Sequence, residues 1–465
     1  MADNIDLFTY LPIHLLIVII SFLPFKEAAK TSILSRRWRD IWRATKNVEL
    51  DESFFVKPGG SISDQKVQRR NFLHFAQQWI KNYNEPAVHN FRLAFARPTN
   101  FHGEMERFIA FATARGVKAL ALDFADPEWN DHDDDFHGNH VALFDLPMHI
   151  YGHRVLESLR LYSINFLVFE FRNFVALKDL SLGWVELSTS SLKALLLNCP
   201  SLESLSLKKC RNMEVLNVSA PNLRLKRLVI DKCSIDENTI AIEAPMLRFL
   251  QYCGALSSFY FDGPHCMQEA NLDFMVESEF AESGDLLYYL LQEICCIRVL
   301  TVCSYMLQVI PTGEEPLGLS TPLHVRHLIL KTAMHENEFY GISFFLKSCP
   351  HLETLSIEIG PAKIFEDYEP PYEFETHSFW TRNVLVFRCI NRTLKAVEIK
   401  GFRGTPNELQ LLKYLLKFGR VMEKLTLNFS REVLSNGRNM ASYQQIAQQL
   451  QQFEIASGNL RLLIC

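Results

Sequence analysis

Four segments set the architecture: LESLRL (residues 156–161), LKDLSL (177–182), LESLSL (202–207) and LKRLVI (225–230). Each places an apolar residue, a second three positions on and a third five positions on. The last three positions alternate apolar and polar, the pattern of a short strand with one buried face. Counting between first positions, 156 to 177 to 202 to 225 to 247 gives steps of 21, 25, 23 and 22 residues.

Steps of that size fall within the roughly 20 to 29 residues of a leucine-rich repeat. The same triad recurs outward in both directions: Val88/Phe91/Leu93, Val117/Leu120/Leu122, Leu247/Leu250/Tyr252, Ile297/Leu300/Val302, Val325/Leu328/Leu330, Leu352/Leu355/Ile357, Leu394/Val397/Ile399 and Met422/Leu425/Leu427. Wider steps of 39 (117 to 156), 50 (247 to 297) and 42 (352 to 394) hold insertions or a degenerate copy. Helical stretches such as 190–197 and 341–346 lie between triads, each followed by Cys-Pro (Cys199-Pro200, Cys349-Pro350), which ends the helix. No copy can bury its own leucines, so stacking must make one core, a solenoid with a strand and a helix per repeat. Cys210 and Cys233 each stand eight residues after the first position of their copy. There a thiol is expected to stack inward as a structural side chain.

The front of the chain breaks this pattern. Residues 11–42 read LPIHLLIVIISFLPFKEAAKTSILSRRWRDIW. Pro12 and Pro24 bracket an apolar run little more than half the ~20 residues that span a bilayer. Acidic Asp3 and Asp6 stand where a secretory signal would be basic. Three short helices are expected, over about 13–23, over about 26–34, and a third capped by Ser35 that carries Trp38, Ile41 and Trp42. About forty residues bury too little to be comfortable alone, so this unit is expected to need a partner.

Leu11-Pro12, Ile20 to Pro24, Thr31 to Arg39 and Trp42 together resemble the F-box of plant F-box proteins. The resemblance implies docking on a Skp1-like adaptor and, through it, on cullin and RING subunits of a ubiquitin ligase. By position, Leu11, Pro12, Leu16, Ile20, Leu23, Leu34, Ser35 and Trp38 match the family's adaptor-facing or motif-defining places. Some of them alternatively pack the three helices together. A second stretch, with Phe379-Trp380, Leu394 to Ile399, Phe402-Arg403-Gly404 and Met422 to Leu427, is similar to the FBD domain of plant F-box/leucine-rich-repeat chains. Physically it is a strand, a Gly-Thr-Pro turn, a helix over about 407–418 and another strand.

The expected organisation is an F-box at 1–50, a linker and capping helix at 51–86, the solenoid at 87–365, an FBD region continuing the array at 366–430 and a cap at 431–465. In that cap Ile446, Leu450 and Phe453 suggest a last helix, and Leu460, Leu462 and Ile464 a last strand. The fold class is α/β.

Composition agrees with a folded chain: 465 residues, 48% hydrophobic, 22% charged, net charge −5 and pI near 6.3, which argues against nucleic acid as the main partner. Eleven cysteines without a CxxC pair point to reduced thiols in cytosol or nucleus. The cluster Asp131 to His140 fits no regular zinc spacing and is expected to be a solvated acidic loop, so no metal or cofactor is expected. No GxSxG, phosphate loop or HExxH occurs, and the expected role is non-catalytic. Basic Lys208, Lys209, Arg211 and Lys232 follow successive strands and are candidates for contacting an acidic or phosphorylated target, against the alternative of a solvated surface. The expected function is recognition of an unknown target protein within an SCF-type ligase, with no membrane involved. The alternatives are a non-degradative Skp1-binding scaffold or a small-molecule receptor.

Overall fold

The structure, a computed structural model, describes residues 10–57, 59–126, 143–220, 222–263, 266–275, 283–310, 318–365, 379–382, 386–430 and 453–464. It divides into two compact units, the first ending at Leu225 and including residues 233–235, the second formed by 226–232 and 236–465.

In the first unit, β1 (Asn47–Asp51), β2 (Asn90–Ala94), β3 (Ala119–Asp123), β4 (Ser158–Tyr162), β5 (Asp179–Gly183) and β6 (Ser204–Lys208) form a parallel ladder without slippage. Val48, Phe91, Leu120, Leu159, Leu180 and Leu205 lie opposite one another, all buried. A one-residue slip would turn every one of them to solvent, which is why the register is uniform.

The second unit repeats this with β7 (Arg227–Asp231), β8 (Phe249–Gly254), β9 (Glu269–Phe274), β10 (Val299–Val302), β11 (His327–Thr332), β12 (Thr354–Ile359), β13 (Ala396–Phe402), β14 (Lys424–Phe429) and β15 (Arg461–Ile464). Here the buried row runs Leu228, Leu250, Ala270, Leu300, Leu328, Leu355, Val397 and Leu425. β15 pairs with β14 as the terminal triad predicts, but its four residues are exposed. Ile446 and Leu450 lie outside the described residues.

Two ladder strands escape the apolar triad. β1 sits within the expected F-box and linker because its first position is Thr45, a buried hydroxyl whose Oγ1 receives the Asn47 N–H at 3.2 Å. β9 fills the 50-residue step with Met267/Ala270/Leu272, whose middle alanine is too small to stand out.

Helices cover the strands: α3 (Ile62–Lys81), α4 (His102–Thr113) and α5 (Thr189–Asn198) in the first unit, preceded by α1 (Ile13–Ser21) and α2 (Phe25–Lys30). In the second unit they are α6 (Ser283–Glu293), α7 (Ser304–Val309), α8 (Phe339–Ser348), α9 (Phe379–Arg382), α10 (Arg388–Arg392) and α11 (Pro406–Phe418). α5 starts with Ser188 accepting the Ser191 N–H at 3.1 Å, and α11 with Thr405 capping just before Pro406. Both Cys-Pro endings behave as expected, with Cys199 and Cys349 N–H closing the last turns of α5 and α8.

Loops between strand and helix are held by buried carboxylates. Glu338 accepts the Ala333 and His335 N–H groups and the Thr332 hydroxyl, and Glu408 accepts the Arg403 and Gly404 N–H groups. Burial pushes the Glu338 carboxyl above its ordinary range, against the pull of these donors. The expected structural thiols are in place: Cys210 Sγ lies 3.7 Å from the Leu182 carbonyl and Cys233 Sγ 3.5 Å from that of Leu207.

Candidate functional site

The front of the chain folds as two α-helices and tight turns, which corrects the expectation of three helices. α1 and α2 each start from a proline with extended ψ, Pro12 and Pro24. After α2 the backbone tightens into a 3-10 turn at Thr31–Ile33, and in place of the third helix there are turns over 36–40 and a 3-10 turn at Ile41–Ala44. Ser35 closes a turn with its carbonyl, which accepts the Trp38 N–H at 3.1 Å. Trp38 and Ile41 are three apart and both enter the core, a spacing that a three-residue turn aligns better than an α-helix does.

That core contains Leu16, Ile20, Ala28, Trp38 and Ile41, with Leu11, Ile17, Ile19, Leu23 and Trp42 partly buried against it. Of the residues matched to the F-box motif, Leu16, Ile20 and Trp38 therefore hold the helices together. Leu11 and Leu23 sit at the margin. Pro12, Leu34 and Ser35 are exposed. The unit is tied to the ladder by Phe25, whose ring meets Trp42 at 5.8 Å and Trp79 of α3 at 5.3 Å, and by Asn47 Nδ2 donating to the Ser21 carbonyl at 2.6 Å. Arg37 reaches back to the Leu11 carbonyl.

α1 is apolar on nearly every side, so burying one face leaves the other bare. Leu15, Val18 and Phe22 follow one another at helical spacing, and Ile33 and Leu34 protrude after α2. Phe22, Ile33 and Leu34 are 82%, 85% and 65% exposed. Large apolar groups gathered on so small a unit mark a surface that expects another protein. The sequence motif points to the helices but not to this face, because which side is bare follows from packing.

Beside α1 a cleft of about 400 Å³ opens onto β1 to β4, with Phe22, Leu23 and Pro24 on one wall and Arg92, Ala121 and Arg160 on the strand side. Arg92 is gripped by Glu49 at 2.6 Å, Asp51 at 3.2 Å and Asp123 at 3.8 Å, and Arg160 stands 3.8 Å from Asp179. Burial raises the Asp123 carboxyl above its ordinary range, opposed by the Ala125 N–H and Arg92. These residues occupy the alternate, outward positions of the strands, a reading the triads allow but do not single out.

The basic candidates are placed by turn geometry. In the first unit Lys208 ends β6 with its Nζ 4.9 Å from the Trp184 ring centre, and Arg211 pairs with Glu186 at 2.9 Å. Lys209 follows in the left-handed region, φ 48°, as do Ser163 and Trp184 one residue past β4 and β5. Lys232 holds the same place after β7 in the second unit, φ 51°, its N–H donating to the Cys253 carbonyl at 2.6 Å. The Asp131 to His140 cluster lies outside the described residues. Among the described residues no group of three or more metal-capable side chains occurs, and no helix is long and apolar enough to cross a membrane.

Comparison with known proteins fits this arrangement. The F-box domain family matches residues 8–49, and the leucine-rich-repeat family described as "At1g61320/AtMIF1, LRR domain" matches 80–459. The second match runs through the segment expected to be an FBD region, whose β13, α11 and β14 have the geometry of further repeats. Among Arabidopsis thaliana proteins, the chain is 35% identical over 433 residues to putative F-box protein At3g29830, covering 91% of each. It is 33% identical over 424 residues to putative F-box/LRR-repeat protein At1g56400, covering 89% of this chain and 87% of that one. It is also 34% identical over 424 residues to putative F-box/LRR-repeat protein At5g54820, covering 89% and 88%. A front unit that buries Leu16, Ile20 and Trp38, followed in each unit by parallel strands that bury one apolar row, is thus joined to the same two domain families in the same order, and the chain belongs to the F-box/leucine-rich-repeat family.

Proposed function

We propose that this chain is the substrate-recognition subunit of an SCF-type ubiquitin ligase in the cytosol or nucleus. Its front helices dock on a Skp1-like adaptor, which brings cullin and RING subunits, and its repeats hold a target protein. The observation that carries the reading is the set of exposed apolar side chains Leu15, Val18, Phe22, Ile33 and Leu34 on a front unit whose core is already filled. Burying a phenylalanine or leucine of this kind is worth about 1.5–3 kcal/mol, enough for three or four of them to anchor a complex. The chain's contribution is proximity: it raises the effective concentration of a target beside a charged conjugating enzyme and performs no bond chemistry itself.

The target side rests on the outward strand positions of the first unit, where the cleft and the Arg92 and Arg160 ion pairs lie beside the basic Lys208, Lys209 and Arg211. Reconstitution tests the whole reading. Proteins labelled by proximity under proteasome block are purified and incubated with the chain, adaptor, cullin, RING subunit and conjugating enzyme. At least one captured protein should be ubiquitinated only when the chain is present. A chain that captures proteins and binds adaptor but never supports transfer would be a scaffold, and the ligase reading would fall. Charge reversal of Lys208, Lys209 and Arg211 to Glu should lower capture of that protein.

A further inference from the structure

The turns that lead into several ladder strands share one grammar. The first and fourth residues are buried and hydrogen-bonded to each other, and the two between face outward. In the second unit, Leu247 N–H reaches the Ala244 carbonyl at 2.9 Å, Leu352 that of Cys349 at 3.2 Å and Met422 that of Gly419 at 3.3 Å. The intervening pairs are Pro245-Met246, Pro350-His351 and Arg420-Val421, none of them buried. The turn before β10 obeys the same rule, with Ile297 N–H on the Ile294 carbonyl at 3.2 Å and both isoleucines fully buried. Its outward pair is Cys295-Cys296.

Most other thiols of the fold sit inside it. Cys199, Cys210, Cys303, Cys349 and Cys389 are buried, and Cys266 is exposed but stands alone in the sequence. Cys295 is half-buried, Cys296 is exposed, and their Sγ atoms lie 3.8 Å apart. The backbone beneath them is pinned twice, by Cys295 N–H on the Gln292 carbonyl at 3.3 Å and by the Cys295 carbonyl accepting the His324 N–H at 2.9 Å. Two soft ligands are thus held side by side on a rigid turn at the surface.

Direct coupling of the two sulfurs fits poorly, since adjacent Cα atoms are about 3.8 Å apart and disulfides favour about 4.4–6.8 Å. An inserted atom fits well. A pyramidal three-coordinate centre bonded to both sulfurs asks them only to close slightly from 3.8 Å. A zinc ion would require further ligands, and among the described residues no group of three or more metal-capable side chains stands here. A trivalent metalloid carrying one organic group needs only two sulfurs.

We propose that Cys295 and Cys296 form a bidentate thiol site that captures trivalent organoarsenicals and metalloid centres of the same chemistry. With phenylarsine oxide, which enters as its hydrate, two As–S bonds form and two As–OH bonds break. The thiol protons leave with the hydroxides as two waters, and arsenic stays trivalent. Burial and the neighbouring thiol push the Cys295 thiol up, so alkylation there by one-site reagents is slow near neutral pH, whereas two-point capture is retained by chelation.

The test uses the full reduced chain and one equivalent of phenylarsine oxide, read by intact mass and peptide mapping. One adduct should map to Cys295-Cys296, resist millimolar glutathione and be released by 2,3-dimercaptopropanol. Cys295→Ser and Cys296→Ser should each weaken retention at least about 100-fold, with melting unchanged because the turn faces solvent. An adduct that survives in both variants, that maps to Cys210 and Cys233 or to Cys266, or that does not form overturns the assignment.

Discussion

Replacing Phe22 and Leu34 together by aspartate is expected to abolish binding of a Skp1-type adaptor while leaving the chain folded. Both side chains are mostly exposed, so little of the fold rests on them. On binding, each would bury an apolar group worth about 1.5–3 kcal/mol. In the variant each instead presents a carboxylate to an apolar interface. A combined loss of about 4 kcal/mol corresponds to a Kd roughly 1,000-fold weaker, readable by titration calorimetry with circular dichroism and melting as the check on folding. Leu16→Ala should do the opposite. That side chain is fully buried in the front core, and its removal costs about 2–5 kcal/mol of local stability before any partner is added. An intact affinity in the double aspartate variant would mean the adaptor uses another face.

The second large effect concerns the repeats. A methyl group on Gly341 would lie 2.0 Å from the Leu307 carbonyl oxygen and 2.4 Å from its Cα, because α8 crosses directly over the backbone of α7. Neither atom is the end of a flexible side chain, so the two helices must separate. Gly341→Ala is expected to cost about 3 kcal/mol or more, lowering the melting temperature by roughly 6–12 °C. Gly360→Ala is the matched control, since nothing lies within 4 Å of its added methyl and it should be nearly silent. Equal melting of the two variants would contradict the placement of α7 against α8.

The triads are legible because every ladder strand except the terminal β15 buries its second and fourth residues, and leucine at those places is hard to miss. Where the buried residue was Thr45 or Ala270, periodicity of apolar residues had nothing to count, although the fold treats those positions like the rest. The expected third helix is absent for a related reason. Trp38 and Trp42 at a spacing of four suggest a helical face, yet the core takes Trp38 with Ile41, and Trp42 turns to Phe25 and Trp79. α7 leaves no periodic signal, because residues 304–309 are buried on all sides and show no amphipathic rhythm.

The candidate site was legible only in outline. The proline-bracketed motif locates the front unit, but a motif lists residues without saying which of them fill the core. Leu16 and Ile20 look no different in sequence from Leu15 and Val18; packing alone sends the first pair inward and leaves the second pair bare. Likewise Lys209 and Lys232 read as surface charge, whereas their left-handed backbone shows that the end of a strand puts them there.

The most direct measurement is size-exclusion chromatography with light scattering on the intact chain mixed with a purified Skp1-type protein at micromolar concentration. A bare apolar face built for docking predicts a single 1:1 peak, with the Phe22 and Leu34 aspartate variant eluting apart from its partner. Separate elution of the unaltered chain and the adaptor would contradict the account at its root.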